Sequence, residues 1–153
     1  MNPAHKPFQR PKLGRHATRA VRVFQALNLP DDQVLDAAAG LSPYREYFEG
    51  RVVGIDLRIS SMIDFIGLVE CLPFKDLSFN GITCFQVLHF LENPSQAFEE
   101  FYRVLKPGGW LAVSVSRGRV ARRAGAPGGY SVCDDSPSEW DDRLKSIGCH
   151  IDG

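Results

Sequence analysis

The segment LDAAAGLS, residues 35–42, holds the first residues whose types could do chemistry. Small side chains at Ala37, Ala38, Ala39 and Gly40 let the backbone approach a ligand closely, and a helix start behind them would offer unpaired amide donors to a carboxylate or a phosphate. Twenty positions after Asp36 stands Asp56, at the end of the next apolar run, where a carboxylate can accept two hydrogen bonds from a ribose diol. Either feature alone is common packing or an ordinary turn residue, but together they point to a nucleoside-containing cofactor.

Such residues need elements to position them. QVLDAAAG reads as a strand buried on both faces, Ser42 and Pro43 as the cap and first position of a helix over YREYF that Gly50 stops, and RVVGIDL as the second strand. That is the sequence form of a right-handed βαβ crossover. The alternation continues with a helix over Ser60 to Phe65, a weak third strand around Ile66 to Val69, and a loop opened by LPF. A clearer strand follows from Gly81 to Phe85. A helix from Pro94 to Leu105 then turns Ala97, Phe98, Phe101, Val104 and Leu105 to one side, PGG breaks it, and WLAVSVS makes the next strand.

In front of this lie a basic, proline-containing arm and an amphipathic helix from His16 to Leu27. Behind it come an arginine cluster at 117–123, acids between 134 and 142, a last helix from Ser138 to Ile147 and a strand stub, CHID. The expectation is an α/β, Rossmann-like fold, a mostly parallel sheet with helices on both faces and its C-terminal strands missing or incomplete. Residues 1–30 form the arm and helix, 31–116 the core, and 117–153 the loop, late helix and partial strand. In such a sheet, ligands sit outside the carboxyl ends of the strands.

Composition sets the outer limits. With 153 residues, 44% hydrophobic and 24% charged, one globular domain with a real core is expected. Eighteen basic residues balance eighteen acidic ones, so no global field draws the chain to nucleic acid or anionic lipid. The arginine cluster has no aromatic residues interleaved as stacking platforms and reads as solvated charge. No stretch of ~18 apolar residues and no signal-peptide core is present, which makes the cytoplasm the expected compartment and a membrane an unexpected partner. The four cysteines form no CxxC pair and no zinc pattern, and are read as reduced thiols, with Cys84 a packing residue.

VLDAAAGLSPYREYFEGRVVGIDL, ECLPFKDLSFNGITCFQVLHFLENP and AFEEFYRVLKPGGWLAVSV resemble successive motifs of the class I S-adenosylmethionine-dependent methyltransferases, in the small-molecule subgroup. The likeness covers residues ~34–116, and RVLKPGGWLAVSV with LPF at the right distance is its most specific part. It implies S-adenosylmethionine as cofactor and a small-molecule methyl acceptor. By this resemblance Asp36, Ala38 and Gly40 belong to the turn that holds the methionine end of the cofactor, and Asp56 binds the ribose hydroxyls. Leu57 lies on one face of the adenine, Val69 and Glu70 border it, and Phe85 with Gln86 line the floor near the transferred methyl. His89, just after the fourth strand, is the one candidate base, although a loop histidine without a chemical role is the commoner case.

The chain departs from the family pattern at Ala38 and Ser42, where glycine usually stands. Serine is tolerated there if the backbone needs no positive φ. Leu68 stands where a polar residue usually recognises the adenine amino group, and Asn80 where an Asp usually opens strand four. The sequence also stops early by the family's measure, and the unfinished sheet edge would be open to a second copy or a partner chain. Two other readings compete with a methyltransferase. One is a non-catalytic relative that binds the cofactor or a partner chain. The other, a nicotinamide-dependent oxidoreductase, leaves LPF and LKPGG unexplained.

Overall fold

A computed structural model describes residues 29–42, 45–114 and 137–146, together with Thr18, Val21, Arg22 and Ala26. Five strands form one sheet: β1 (Gln33–Ala37), β2 (Arg51–Asp56), β3 (Phe65–Ile66), β4 (Phe79–Phe85) and β5 (Leu105–Ser114). Their order is β3-β2-β1-β4-β5, and every neighbouring pair is parallel. The chain runs outward from β1 to β2 and β3, then returns to the other side of β1 with β4. Strand order therefore reverses beside β1, the place where open α/β sheets bind ligands.

The central strands bury themselves as their continuous apolar runs require. Val34, Leu35, Ala37, Ile55, Ile82 and Cys84 are fully buried. Ala97, Phe98, Phe101 and Val104 of the helix Pro94–Val104 join them in the core. Their spacing puts all four on one stripe, and Phe98 and Phe101 meet edge to face with centroids 6.1 Å apart. Pro94 opens that helix at a position where a missing N–H costs nothing.

The helix ends at Val104, ahead of PGG, because Leu105 turns extended and pairs with Phe79. The PGG segment instead forms an irregularity inside β5: Phe79 pairs with Leu105, but Gly81 pairs with Trp110. Asn80 sits at this point, accepting from the Gln33 N–H at 3.2 Å and from Lys106 Nζ at 2.9 Å. Its amide binds the amino ends of β1, β4 and β5, so this departure from the family pattern lies at the far end of the strands from the expected site.

Two expected helices do not form. The connection from β1 to β2 carries a 3-10 turn at Arg45–Tyr47, and Ser60 to Phe65 is a turn leading directly into β3. The Ser42 hydroxyl, expected to cap a helix, donates to Asp36. β2 and β3 are joined by residues 57–64 alone, shorter than the roughly dozen residues a parallel crossover usually needs. The third strand is Phe65–Ile66, earlier than the Ile66 to Val69 expected from sequence.

Thr18, Val21, Arg22 and Ala26 are helical, as expected for 16–27, and buried Val21 packs against Tyr47, Phe48, Phe85, Trp110 and Ala112. Pro137–Ser146 is the expected late helix. The basic arm, the arginine cluster and CHID lie outside the described residues. Among the described residues no helix is long and apolar enough to cross a membrane, no His, Cys, Asp and Glu cluster could hold a metal, and Cys71 and Cys84 are free thiols.

Candidate functional site

The carboxyl ends of β1 and β2 bring the two sequence features into contact. Gly40 N–H donates to Oδ2 of Asp56 at 3.0 Å, and Arg58 N–H donates to Oδ1 at 2.8 Å. Each carboxylate oxygen has two lone pairs, so both keep an acceptor position. Nothing lies within 4 Å of where a Cβ on Gly40 would stand, which leaves open space above the turn.

Asp36 behaves differently. It is fully buried and accepts hydrogen bonds from Ser42 Oγ and, at 2.8 Å, from Thr83 Oγ1. The carboxylate thus ties the turn to β4. This internal bond bends the backbone: φ is +59° at Ala38 and +37° at Ser42. The positive φ at Ser42 corrects the expectation that serine there meets no such demand. Left-handed backbone costs a non-glycine residue about 1–2 kcal/mol, so both positions carry strain that the hydroxyl–carboxylate bonds offset.

The remaining expected residues surround this centre. Leu57 and Leu68 are 56% and 48% exposed, and Val69 is buried. One carboxylate oxygen of Glu70 is buried without a hydrogen-bond partner, and the Glu70 carbonyl accepts from Gln96 Nε2 at 3.1 Å. Phe85 is half-buried against Val21. Gln86 is exposed at φ +59°, with its N–H on the Ser114 carbonyl at 2.9 Å and its Nε2 on Ser114 Oγ at 3.0 Å. His89 is 2% exposed, its ring 4.1 Å from that of Phe90, and burial lowers its pKa, so the imidazole is neutral at pH 7. Burial, then the charges of Asp36 and Glu70, pushes the Cys84 thiol upward, in keeping with a packing role.

Sequence reasoning missed the residues that brace the site. Arg45, on the 3-10 turn after β1, donates to the carbonyls of Met62 at 2.6 Å and Val52 at 2.7 Å and pairs with Asp64 at 3.0 Å. Asp64 also accepts from Gly54 N–H at 2.7 Å. On the other side of the core, Arg103 binds Glu100 through two nitrogens, Asp76 through a third contact, and the carbonyls of Phe74 and Leu72. Glu100 in turn accepts from Leu72 N–H at 2.6 Å. The pair fastens the LPF loop to the helix. A sequence cue did exist, since Glu100 and Arg103 stand three apart on one helix face.

The hydrogen bond from Arg103, the largest influence, holds the Glu100 carboxyl below its ordinary range, opposed by burial. Because the folded-state value lies below the unfolded one, the contribution is complete above the unfolded value of about 4.3 and is lost as pH falls through the folded value. Glu100→Gln is therefore expected to be less stable than the parent at pH 7 and to approach it below about pH 4. Urea titrations at several pH values measure this.

A parallel sheet whose strand order reverses beside a small-residue turn, with an acid joined to that turn at the neighbouring strand end, defines an open, Rossmann-like α/β protein. The family model for a methyltransferase domain matches residues 35–113, just over half of the chain. The chain belongs to this methyltransferase domain family.

Among its relatives, the biotin biosynthesis bifunctional protein BioHC of Teredinibacter turnerae is 36% identical over 100 residues, 63% of this chain and 16% of that protein. The demethylmenaquinone methyltransferase of Renibacterium salmoninarum is 35% identical over 99 residues, 56% of this chain and 42% of that one. The chain spans less than half the length of the curated relatives it matches.

Solved structures share the fold at lower identity. A chain from the complex between the Haloferax volcanii Trm112 methyltransferase activator and a methyltransferase aligns at TM-score 0.72 and 20% identity, over 90% of this chain and 70% of that one. The 1,6-didemethyltoxoflavin-N1-methyltransferase of Burkholderia thailandensis, with bound 1,6-didemethyltoxoflavin and S-adenosylhomocysteine, aligns at TM-score 0.66 and 18% identity, over 87% and 65%.

Proposed function

We propose that this chain forms the cofactor-binding core of a cytoplasmic methyltransferase that moves a methyl group from S-adenosylmethionine to a small molecule. The observation that carries the reading is the bond between Gly40 N–H and Asp56 at the carboxyl ends of adjacent strands. The residues present fit the cofactor. Asp56 keeps two acceptor positions for a ribose diol, the turn at Gly40 has open space above it, and Leu57 and Leu68 offer exposed apolar surface to a purine face. Val69 and Glu70 border the same region, and Phe85 with Gln86 form the floor.

When bound, the sulfonium supplies an already activated methyl, so the chain's work is to bind, align and exclude water. Asp56 orients the ribose, the Ala38–Gly40 turn receives the methionine end, and the strained Gln86 backbone sets the floor height where β4 meets β5. His89 is the candidate base, and its neutral imidazole at pH 7 is the form that accepts a proton. Residues 1–30 and 117–153, flanking the core, are assigned to acceptor selection. The demethylmenaquinone methyltransferase among the relatives supports a small acceptor. The exposed free thiol of Cys71 fits a reducing compartment.

Isothermal titration with S-adenosylhomocysteine tests the reading. Saturable binding is expected, weakened by a factor on the order of 100 in Asp56→Ala, which loses the ribose contact and frees the Gly40 amide. No heat at millimolar ligand would refute it. A second reading, a non-catalytic relative that binds a partner chain, is favoured by the exposed Ile66 and Leu68 on the β3 side. Methyl transfer from radiolabelled cofactor to a small acceptor would dismiss it.

A further inference from the structure

Gly40 is the hinge of the cofactor turn, and its two flanking peptides are pinned by the same stretch of chain. Its N–H is held by Asp56 at 3.0 Å, and its carbonyl accepts from the Ser60 hydroxyl at 2.8 Å. At φ +56°, with no atom near its missing Cβ, glycine has many alternative conformations, and these two bonds select one of them.

The direction of the Ser60 hydroxyl is itself fixed. Its oxygen accepts from Met62 N–H at 3.2 Å, which leaves the hydroxyl proton for Gly40. The Met62 carbonyl is held in turn by Arg45 Nη1 at 2.6 Å. A continuous line of polar contacts therefore runs from Arg45 through Met62 and Ser60 to the carbonyl side of Gly40. Arg45, Met62 and Ser60 are not among the expected ligand contacts.

Asp56 has three demands on one carboxylate, the Gly40 and Arg58 amides and a ribose diol. Any reorientation of that carboxylate toward the ligand weakens its hold on the turn. The Ser60 bond is independent of it. We infer that Ser60 is a positioning residue, which keeps the Gly40 turn in its ligand-receiving shape while Asp56 engages the ribose. The inference rests on the reading of this turn as the cofactor site. Ser60 itself touches no ligand.

The test compares the parent chain, Ser60→Ala and Ser60→Thr by amide hydrogen exchange without ligand and by titration with S-adenosylhomocysteine. In Ser60→Ala the Gly40 amide is expected to exchange about tenfold faster and affinity to fall about five- to tenfold, the scale of one lost hydrogen bond. Ser60→Thr, which keeps the hydroxyl, restores both, and a merely structural role would not give that paired rescue. Unchanged Gly40 exchange in Ser60→Ala overturns the inference. Faster exchange with unchanged affinity overturns it as well, because the hydroxyl then holds the turn without preparing it for a ligand. If the parent chain itself fails to bind, the cofactor reading falls and takes the inference with it, an outcome separate from the other two.

Discussion

Arg103→Ala is expected to lower the stability of the domain by about 2–3 kcal/mol, read as a lower urea midpoint at unchanged slope. One guanidinium serves Glu100, Asp76 and the carbonyls of Phe74 and Leu72, at distances between 2.7 and 3.0 Å. Truncation leaves the two carbonyls without the guanidinium donor and Glu100 without its cation, and an unsatisfied partner costs more than the lost bond. The damage should concentrate where the LPF loop meets the helix, because Leu72, 5% exposed, is drawn into the core by these contacts. Arg103→Lys should recover less than half of the loss, since an ammonium cannot reproduce the planar fork that grips Glu100 through two nitrogens. Full recovery by lysine would show that charge alone holds the loop.

Gly54→Ala is expected to act on the site as well as on the fold. A Cβ at this position would stand 2.4 Å from the Met62 carbonyl oxygen, a backbone atom that cannot swing aside as a side chain does. The segment 57–64 has to retreat, and it takes the Arg45 and Asp64 contacts with it. A loss of about 3 kcal/mol in stability, at the upper end for overpacking, should accompany a more than tenfold weaker affinity for S-adenosylhomocysteine. The two readouts belong together because the segment that Met62 anchors follows directly on Asp56 and carries Ser60 in its middle. An affinity that survives the substitution would mean that the loop adjusts without disturbing the strand ends.

The strands were legible in the sequence where burial is two-sided. QVLDA, RVVGID and the β4 run are apolar because neighbours cover both faces, and no helix competes for them. The helix Pro94–Val104 was legible for the opposite reason, a single buried stripe with a proline at its start. The region after β1 misled because Ser42 and Pro43 satisfy every local rule for opening a helix. A buried carboxylate six residues earlier took the hydroxyl instead, and no local pattern announces that. PGG was read as the helix stop, but the extended pairing of Leu105 with Phe79 acts first.

The same division holds for the site. Asp56 and the small-residue turn were visible by their residue types and spacing, and the structure joins them by a direct bond. Arg45, Ser60 and Asp64 were invisible because they mostly hold backbone carbonyls and amides, which every residue possesses. Most of their partners lie 7 to 20 positions away without periodicity. Leu68 stays exposed at the strand ends, so the position read from sequence as an apolar departure is one that a ligand can reach.

The contact between Asp64 and Gly54 has a consequence for solubility. Asp64 N–H donates to the Gly54 carbonyl and its carboxylate accepts the Gly54 amide, so one acidic residue closes both backbone valences of Gly54 just before β3 begins. What remains of that flank is a two-residue ribbon, Phe65–Ile66. A strand that short gives another polypeptide almost nothing to zip onto, and the charge at its entrance repels a hydrophobic newcomer. The apolar side chains displayed there face solvent while the backbone beside them is denied to self-assembly, which lets one rim of the sheet be greasy without seeding fibrils.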